Sequence, residues 1–165
     1  MRLVALLALL VALAGCGGSG DRRARTTETT ARTIPTPEIR GLSPLIPTEA
    51  VGPPPKGATN VIRAWAAAVR RADWGRAADL FARGARVQTG PDVQRLTTRN
   101  LALAWNISLP CGAEIERIGG AKGYAIVRFR LTERPEGACG EDLGEIARTA
   151  IRVADGRIVG WYALS

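Results

Sequence analysis

The sequence predicts an α+β fold, a cone or sandwich in which three N-terminal helices precede a twisted antiparallel sheet with one buried face. Three observations lead there. Apolar residues between positions 59 and 108 recur at helical spacing. Beyond Cys111 the spacing falls to two, the period of half-buried strands. Two turn signals, Gly119-Gly120-Ala121-Lys122 and Asp155-Gly156, then divide the strand region into hairpins.

The first helix is expected from Thr59 to Ala72, with Val61, Ile62, Trp65, Ala68, Val69 and Ala72 on its apolar face and Arg63, Arg70 and Arg71 around the rest. Asp73 caps a second, Trp74 to Arg83, whose face is Trp74, Ala77, Ala78 and Phe81, and Gly84 ends it. A short strand pair around Val87 and Val93, turned by Gly90-Pro91-Asp92, leads to a third helix. Thr97 or Thr98 caps that helix, and it runs to about Ser108 before Pro110.

Strands 113–119 and 123–131 form the first hairpin, with Ile115 set opposite Val127, Ala113 opposite Phe129 and Glu114 opposite Arg128. In the second hairpin Val153 faces Ile158, Ile151 faces Gly160 and Thr149 faces Tyr162. The other side of that hairpin carries Arg148, Arg152, Val159, Trp161 and Ala163. One sheet face is therefore apolar and the other charged.

Upstream lies a different kind of sequence. Arg2 is followed by twelve uninterrupted apolar residues, Leu3 to Ala14, too few to span a bilayer, which takes about 20, and suited to the core of a secretory signal. Leu13-Ala14-Gly15-Cys16 resembles a bacterial lipobox, which implies a signal peptide over residues 1–15 and a lipidated Cys16. The chain is then expected as a lipoprotein on the extracytoplasmic face of the cell membrane. Residues 16–57, rich in Thr, Pro and Gly, bury too little to offset ordering entropy and read as a tether. Its few apolar residues, Leu42, Leu45, Ile46 and Val51, could dock on the domain, and a plain spacer is preferred. Residues 58–165 suffice for one domain. With Cys16 lipidated, Cys111 and Cys139 remain, an even pair that in an exported protein reads as a disulfide. With no histidine in the chain, two thiols are a poor metal shell, so neither metal nor cofactor is expected.

The run VIRAWAAAVRRADWGRAADLFARGARV resembles the opening of the nuclear transport factor 2-like superfamily, which includes SnoaL-like domains and ketosteroid isomerases. The closing ARTAIRVADGRIVGWYAL is similar to its final hairpin. The resemblance covers nearly all of residues 58–165 and implies a cystatin-like cone of helices on a curved sheet, with a pocket between them and dimers often formed through the outer sheet face. It also implies the chemistry to look for: an inward acid or base, a tyrosine donor, or an Asp/His pair. Imidazole is absent. The domain has eleven carboxylates, and most have structural assignments: Asp73 a cap, Asp92 and Asp155 in turns, Glu114 and Glu116 on the outer face, four more around Cys139. Glu145, which shares parity with Ala147, Thr149 and Ile151, is the one weak candidate for a catalytic group, and it sits at a strand's mouth.

The inward set Trp65, Trp105, Phe129, Thr149, Gly160 and Tyr162 is expected either to line a ligand pocket, with the Tyr162 and Thr149 hydroxyls orienting a polar atom, or simply to fill the core. The domain carries 16 Arg or Lys against 11 Asp or Glu. Arg128, Arg130, Arg148 and Arg152 are expected on the outer face around Trp161, either solvated or meeting a second copy, an anionic membrane surface or an anionic envelope polymer. Nucleic acid is not an expected partner of an exported protein. Three functions follow: a non-catalytic module binding a partner or small apolar ligand; an isomerase or dehydratase of the SnoaL-like or ketosteroid isomerase type; and an envelope or cell-wall structural protein.

Overall fold

The computed structural model describes residues 45–164; the expected signal segment, Cys16 and Leu42 lie outside them. Helix α1 (Ala58–Arg70) and α2 (Trp74–Asp79) precede strands β1 (Phe81–Gln88) and β2 (Gln94–Leu96); helix α3 (Arg99–Ser108) leads into β3 (Gly112–Ala121), β4 (Tyr124–Thr132), β5 (Ile146–Ala154) and β6 (Arg157–Leu164). One six-stranded open sheet results, in the order β2-β1-β6-β5-β4-β3. Neighbours are antiparallel except β1 and β6, which run parallel. The sheet is thus mixed where a purely antiparallel one is expected.

Local chemistry sets the helix ends. The Asp73 carboxylate accepts from the Arg76 backbone N–H, and the Thr98 hydroxyl accepts from the Leu101 N–H, each relieving one unpaired amide of a first turn. Helix α2 stops at Asp79, four residues short of the expected end, because Leu80 already accepts a sheet bond from the Ile158 N–H and Phe81 is in β1. Gly84 does not end a helix. It lies inside β1 at φ +83°, where the register against β6 shifts. That left-handed conformation suits glycine at a bulge.

Two further bulges overturn parts of the expected register. The first hairpin turns on two residues, Lys122-Gly123, and at the far end of the strands the pairing stands two residues along from the expected one: Ile115 faces Phe129, Glu114 faces Arg130, and Ala113 faces Leu131. An extra residue, Glu116, then enters between Ile115 and Arg117, so Ile118 faces Val127. In the second hairpin the Asp155-Gly156 turn and the Val153–Ile158 pair stand as expected. Past them, Arg152 faces Gly160, leaving Val159 as an extra residue in β6. A one-residue slip exchanges the faces of everything beyond it. Trp161 therefore points into the core and faces Ile151, while Gly160 and Tyr162 lie on the outer face, the reverse of the expected assignment. Bulges also bend strands.

The core fills the concave face. Trp65 of α1 is its hub, with ring centroids 6.5 Å from Phe81, 6.4 Å from Trp105, 6.0 Å from Phe129 and 6.1 Å from Trp161. Ile62, Val69, Val87, Val127, Ile151 and Ile158 complete it. The convex face has a smaller cluster of Ala121, Tyr124, Ile126, Ala150 and Tyr162, and Ile46 packs against it. The last part of the segment read as a tether is thus applied to the sheet: Val51 and Gly52 donate to the Gly120 carbonyl at 2.9 and 3.1 Å, and Gly120 donates back to Gly52 at 2.7 Å. A Cβ on Gly119 would overlap Ala50, and one on Gly120 would overlap Pro53. Leu45 and Val51 themselves stay outside, 87% and 85% exposed.

Candidate functional site

A cavity of about 200 Å³ opens between α1, the chain around Cys111 and the concave side of β4, β5 and β6. Its walls are mostly apolar: Trp65, Val69, Ala113, Phe129, Leu131 and Trp161 among them, with Thr149 on the floor. Of the residues expected to gather here, Trp65, Phe129 and Thr149 do. Trp105 belongs to the aromatic cluster behind the wall, its ring 5.1 Å from that of Trp161. Gly160 and Tyr162 are on the opposite side of the sheet. Trp161, expected on the outer face, takes their place.

The polar groups of this region divide into satisfied and unsatisfied. The Trp65 indole donates to Asn106 Oδ1 at 2.8 Å, and Asn106 Nδ2 donates to the Ala102 carbonyl at 2.7 Å. Asn106 is fully buried, a dedicated partner for one indole. The Trp161 indole N–H and the Thr149 hydroxyl, also buried, find no partner among the described residues. Thr149 faces Ala163 and Trp161 faces Ile151, so the two are diagonal neighbours on one face of β5 and β6, about 7 Å apart. Leaving such groups unpaired costs on the order of 1–3 kcal/mol each.

The mouth belongs to the loop between β4 and β5. Cys111 and Cys139 form a disulfide, closing a separation of 28 residues. Arg134 is buried in the same loop, donates to the carbonyls of Ile107 (3.0 Å) and Leu109 (3.1 Å) at the end of α3, and lies 4.5 Å over the Trp74 ring. It thus satisfies two carbonyls at the C-terminal end of α3. Nothing in the local sequence marks it, since its partners lie 25 and 27 residues away. Asp142 and Arg148 stand at the rim. Glu145 is exposed just before β5 and does not line the cavity; Asp142 is the carboxylate that does. Every carboxylate among the described residues is exposed.

Elsewhere, a wider cleft of about 470 Å³ lies beside Asp79. Arg99 holds Asp79 with bonds of 2.6 and 3.3 Å, and the Arg99 guanidinium keeps that carboxyl below the usual carboxylate range. Arg157 donates to the Asp79 carbonyl at 2.7 Å. On the convex face Arg128, Arg130 and Arg152 are exposed and Arg148 is half-buried. Burial pushes the Tyr162 phenol up, and Tyr124, whose ring lies 6.2 Å away, pushes in the same direction. No group of three or more potential metal ligands gathers among the described residues.

No family model matches the chain, and no curated protein matches it. Solved structures do. A candidate polyketide cyclase from Sinorhizobium meliloti is similar at 17% identity and TM-score 0.52, over 64% of this chain and 94% of that one. A candidate ketosteroid isomerase from Kribbella flavida is 20% identical at TM-score 0.50, over 65% and 76%. A nuclear transport factor 2-like protein of unknown function from Cytophaga hutchinsonii is 6% identical at TM-score 0.51, over 64% and 87%. The domain therefore has the nuclear transport factor 2-like fold, with α+β architecture and a six-stranded sheet.

Proposed function

We propose that the concave cavity binds a small, largely apolar molecule bearing one carbonyl or hydroxyl oxygen, and that the chain does so from the extracytoplasmic membrane face, tethered through a lipid on Cys16. The observation that carries this is the unpaired Trp161 indole and Thr149 hydroxyl beside an apolar cavity. One ligand oxygen accepts from the indole and exchanges a hydrogen bond with the threonine, the sparse polar complement by which such pockets fix orientation. The volume lies below the roughly 300–1,000 Å³ of drug-sized sites, which argues for a compact ligand. Native mass spectrometry of the full chain recovered from its own envelope tests this. A bound small molecule, lost in the Trp161→Phe/Thr149→Val double variant, is the expected result; bare chain mass alone overturns the reading.

A second reading, a small-molecule isomerase or dehydratase, draws support from the names of the Sinorhizobium and Kribbella proteins and from Asp142 at the rim. A general base needs a positioned carboxylate. If the mass-identified ligand is turned over and Asp142→Asn stops turnover while leaving binding intact, catalysis is the function. Unchanged ligand in the presence of the wild-type chain leaves the module non-catalytic.

A further inference from the structure

The convex face holds an arrangement that stability alone does not favour. Arg117 of β3 faces Arg128 of β4, and Arg128 faces Arg148 of β5, so three guanidinium side chains stand in one row across adjacent strands. Like charges set directly opposite each other are destabilising, and strands lie only about 4.8 Å apart. The row borders a concavity of about 240 Å³, whose floor includes Gly119 and Ile126. Two carboxylates answer it: Glu116 reaches Arg128 at 3.7 Å and pairs with Arg130, and Glu49, from the strap over residues 46–55, reaches Arg148 at 2.6 Å. Arg117 makes no ion pair or hydrogen bond among the described residues. Four arginines against two glutamates leave a local charge of +2 (4 − 2). In the cleft beside Asp79, by contrast, Arg99 and Arg157 are committed to Asp79.

We propose that Arg117, Arg128 and Arg148 form a site for a phosphate group, with Glu49 of the strap as a resident carboxylate that the incoming phosphate displaces from Arg148. A tetrahedral phosphate oxyanion, doubly charged when free and singly charged as a phosphodiester headgroup, answers the surplus charge and meets the forked donors of neighbouring guanidiniums. Val51 on the strap and Leu45 just before it expose apolar side chains within a few residues of Glu49, so the phosphate can be carried by a lipid headgroup or be free in solution.

Calorimetric titration of the full chain with inorganic phosphate, and sedimentation with phosphatidylglycerol against phosphatidylcholine vesicles, separates the two sources. Saturable phosphate binding, weakened about tenfold or more in Arg117→Glu and tightened in Glu49→Gln, supports a site for the free group. Selective sedimentation with phosphatidylglycerol showing the same two dependences supports the headgroup. Arg152→Glu, outside the row, is the control for net charge. An effect of Arg152→Glu equal to that of Arg117→Glu, or no dependence of either kind of binding on Arg117, overturns the proposal. Far-ultraviolet circular dichroism and thermal unfolding of each variant identify any that fail to fold; Arg128→Gln, which removes charge without reversing it, then stands in for Arg117→Glu.

Discussion

The two faces of the sheet are made from alternate residues of the same strands, yet they solve opposite problems. On the concave side the row Ile118, Val127 and Thr149 faces the core, and the unpaired groups beside the cavity are neutral, the Thr149 hydroxyl and the Trp161 indole. On the convex side the row Arg117, Arg128, Arg148 and Leu164 is crossed by a segment of ten or so residues and carries unneutralised charge. An apolar cavity selects by shape and by one or two hydrogen bonds, whereas an open cationic trough selects by charge and is sensitive to salt. The two proposed sites thus share one layer of backbone and draw on different chemistry.

The largest separation between the faces should come from the disulfide. Replacing Cys111 and Cys139 with serine should cost about 3–4 kcal/mol in denaturant unfolding. It should also release the concave ligand, since Cys111 lines that cavity, while leaving the convex face its anion affinity. Loss of both together would break the independence of the two faces. Next, Asn106→Leu should destabilise by about 2 kcal/mol, because it strands the Trp65 indole in the core. Trp161→Phe should cost about 1 kcal/mol or less, since the lost ring area is offset by removal of an N–H that has no partner. A similar cost for both would mean that the two indoles are not distinguished as the hydrogen bonds indicate.

On the convex side Gly120→Ala should cost about 1–2 kcal/mol and lift the strap, which faster tryptic cleavage after Lys56 would register. The smallest effect concerns alkaline pH. The Tyr162 phenol titrates higher in the folded chain than in the unfolded one, so its contribution is present below pH of about 10 and is lost as pH rises through the folded value. Tyr162→Phe should flatten that alkaline decline without altering stability at neutral pH.

Much of this plan was legible in the chain. Helical spacing around Trp65, the Thr98 cap, the Asp155-Gly156 turn and the cysteine pair are all local or parity signals, and each appears where the sequence places it. What escaped were single-residue insertions. Glu116 and Val159 interrupt an otherwise regular alternation, and no side chain announces them, because a bulge is decided by the pairing of two strands rather than by either one. Three of the six expected pocket residues, Trp65, Phe129 and Thr149, stand before the second bulge or on the partner strand and line the cavity; Gly160 and Tyr162 stand after it and do not. The strap escaped for a different reason. Its proline and threonine content matches a solvated linker, and only the paired glycines at 119 and 120 hint that another backbone must come close.

The extra residue in β6 also bears on how this hairpin can change over generations. Deleting Val159 would restore strict alternation and leave the pairing as it is, with Gly160 opposite Arg152 on the outer face and Trp161 opposite Ile151 in the core. Regular pairing with Val159 retained is what would exchange the furnishings of both faces, turning Gly160 and Tyr162 toward the helices and Trp161 toward solvent. Loss of Val159 therefore leaves both faces as they are, whereas loss of one residue beyond it exchanges everything that follows.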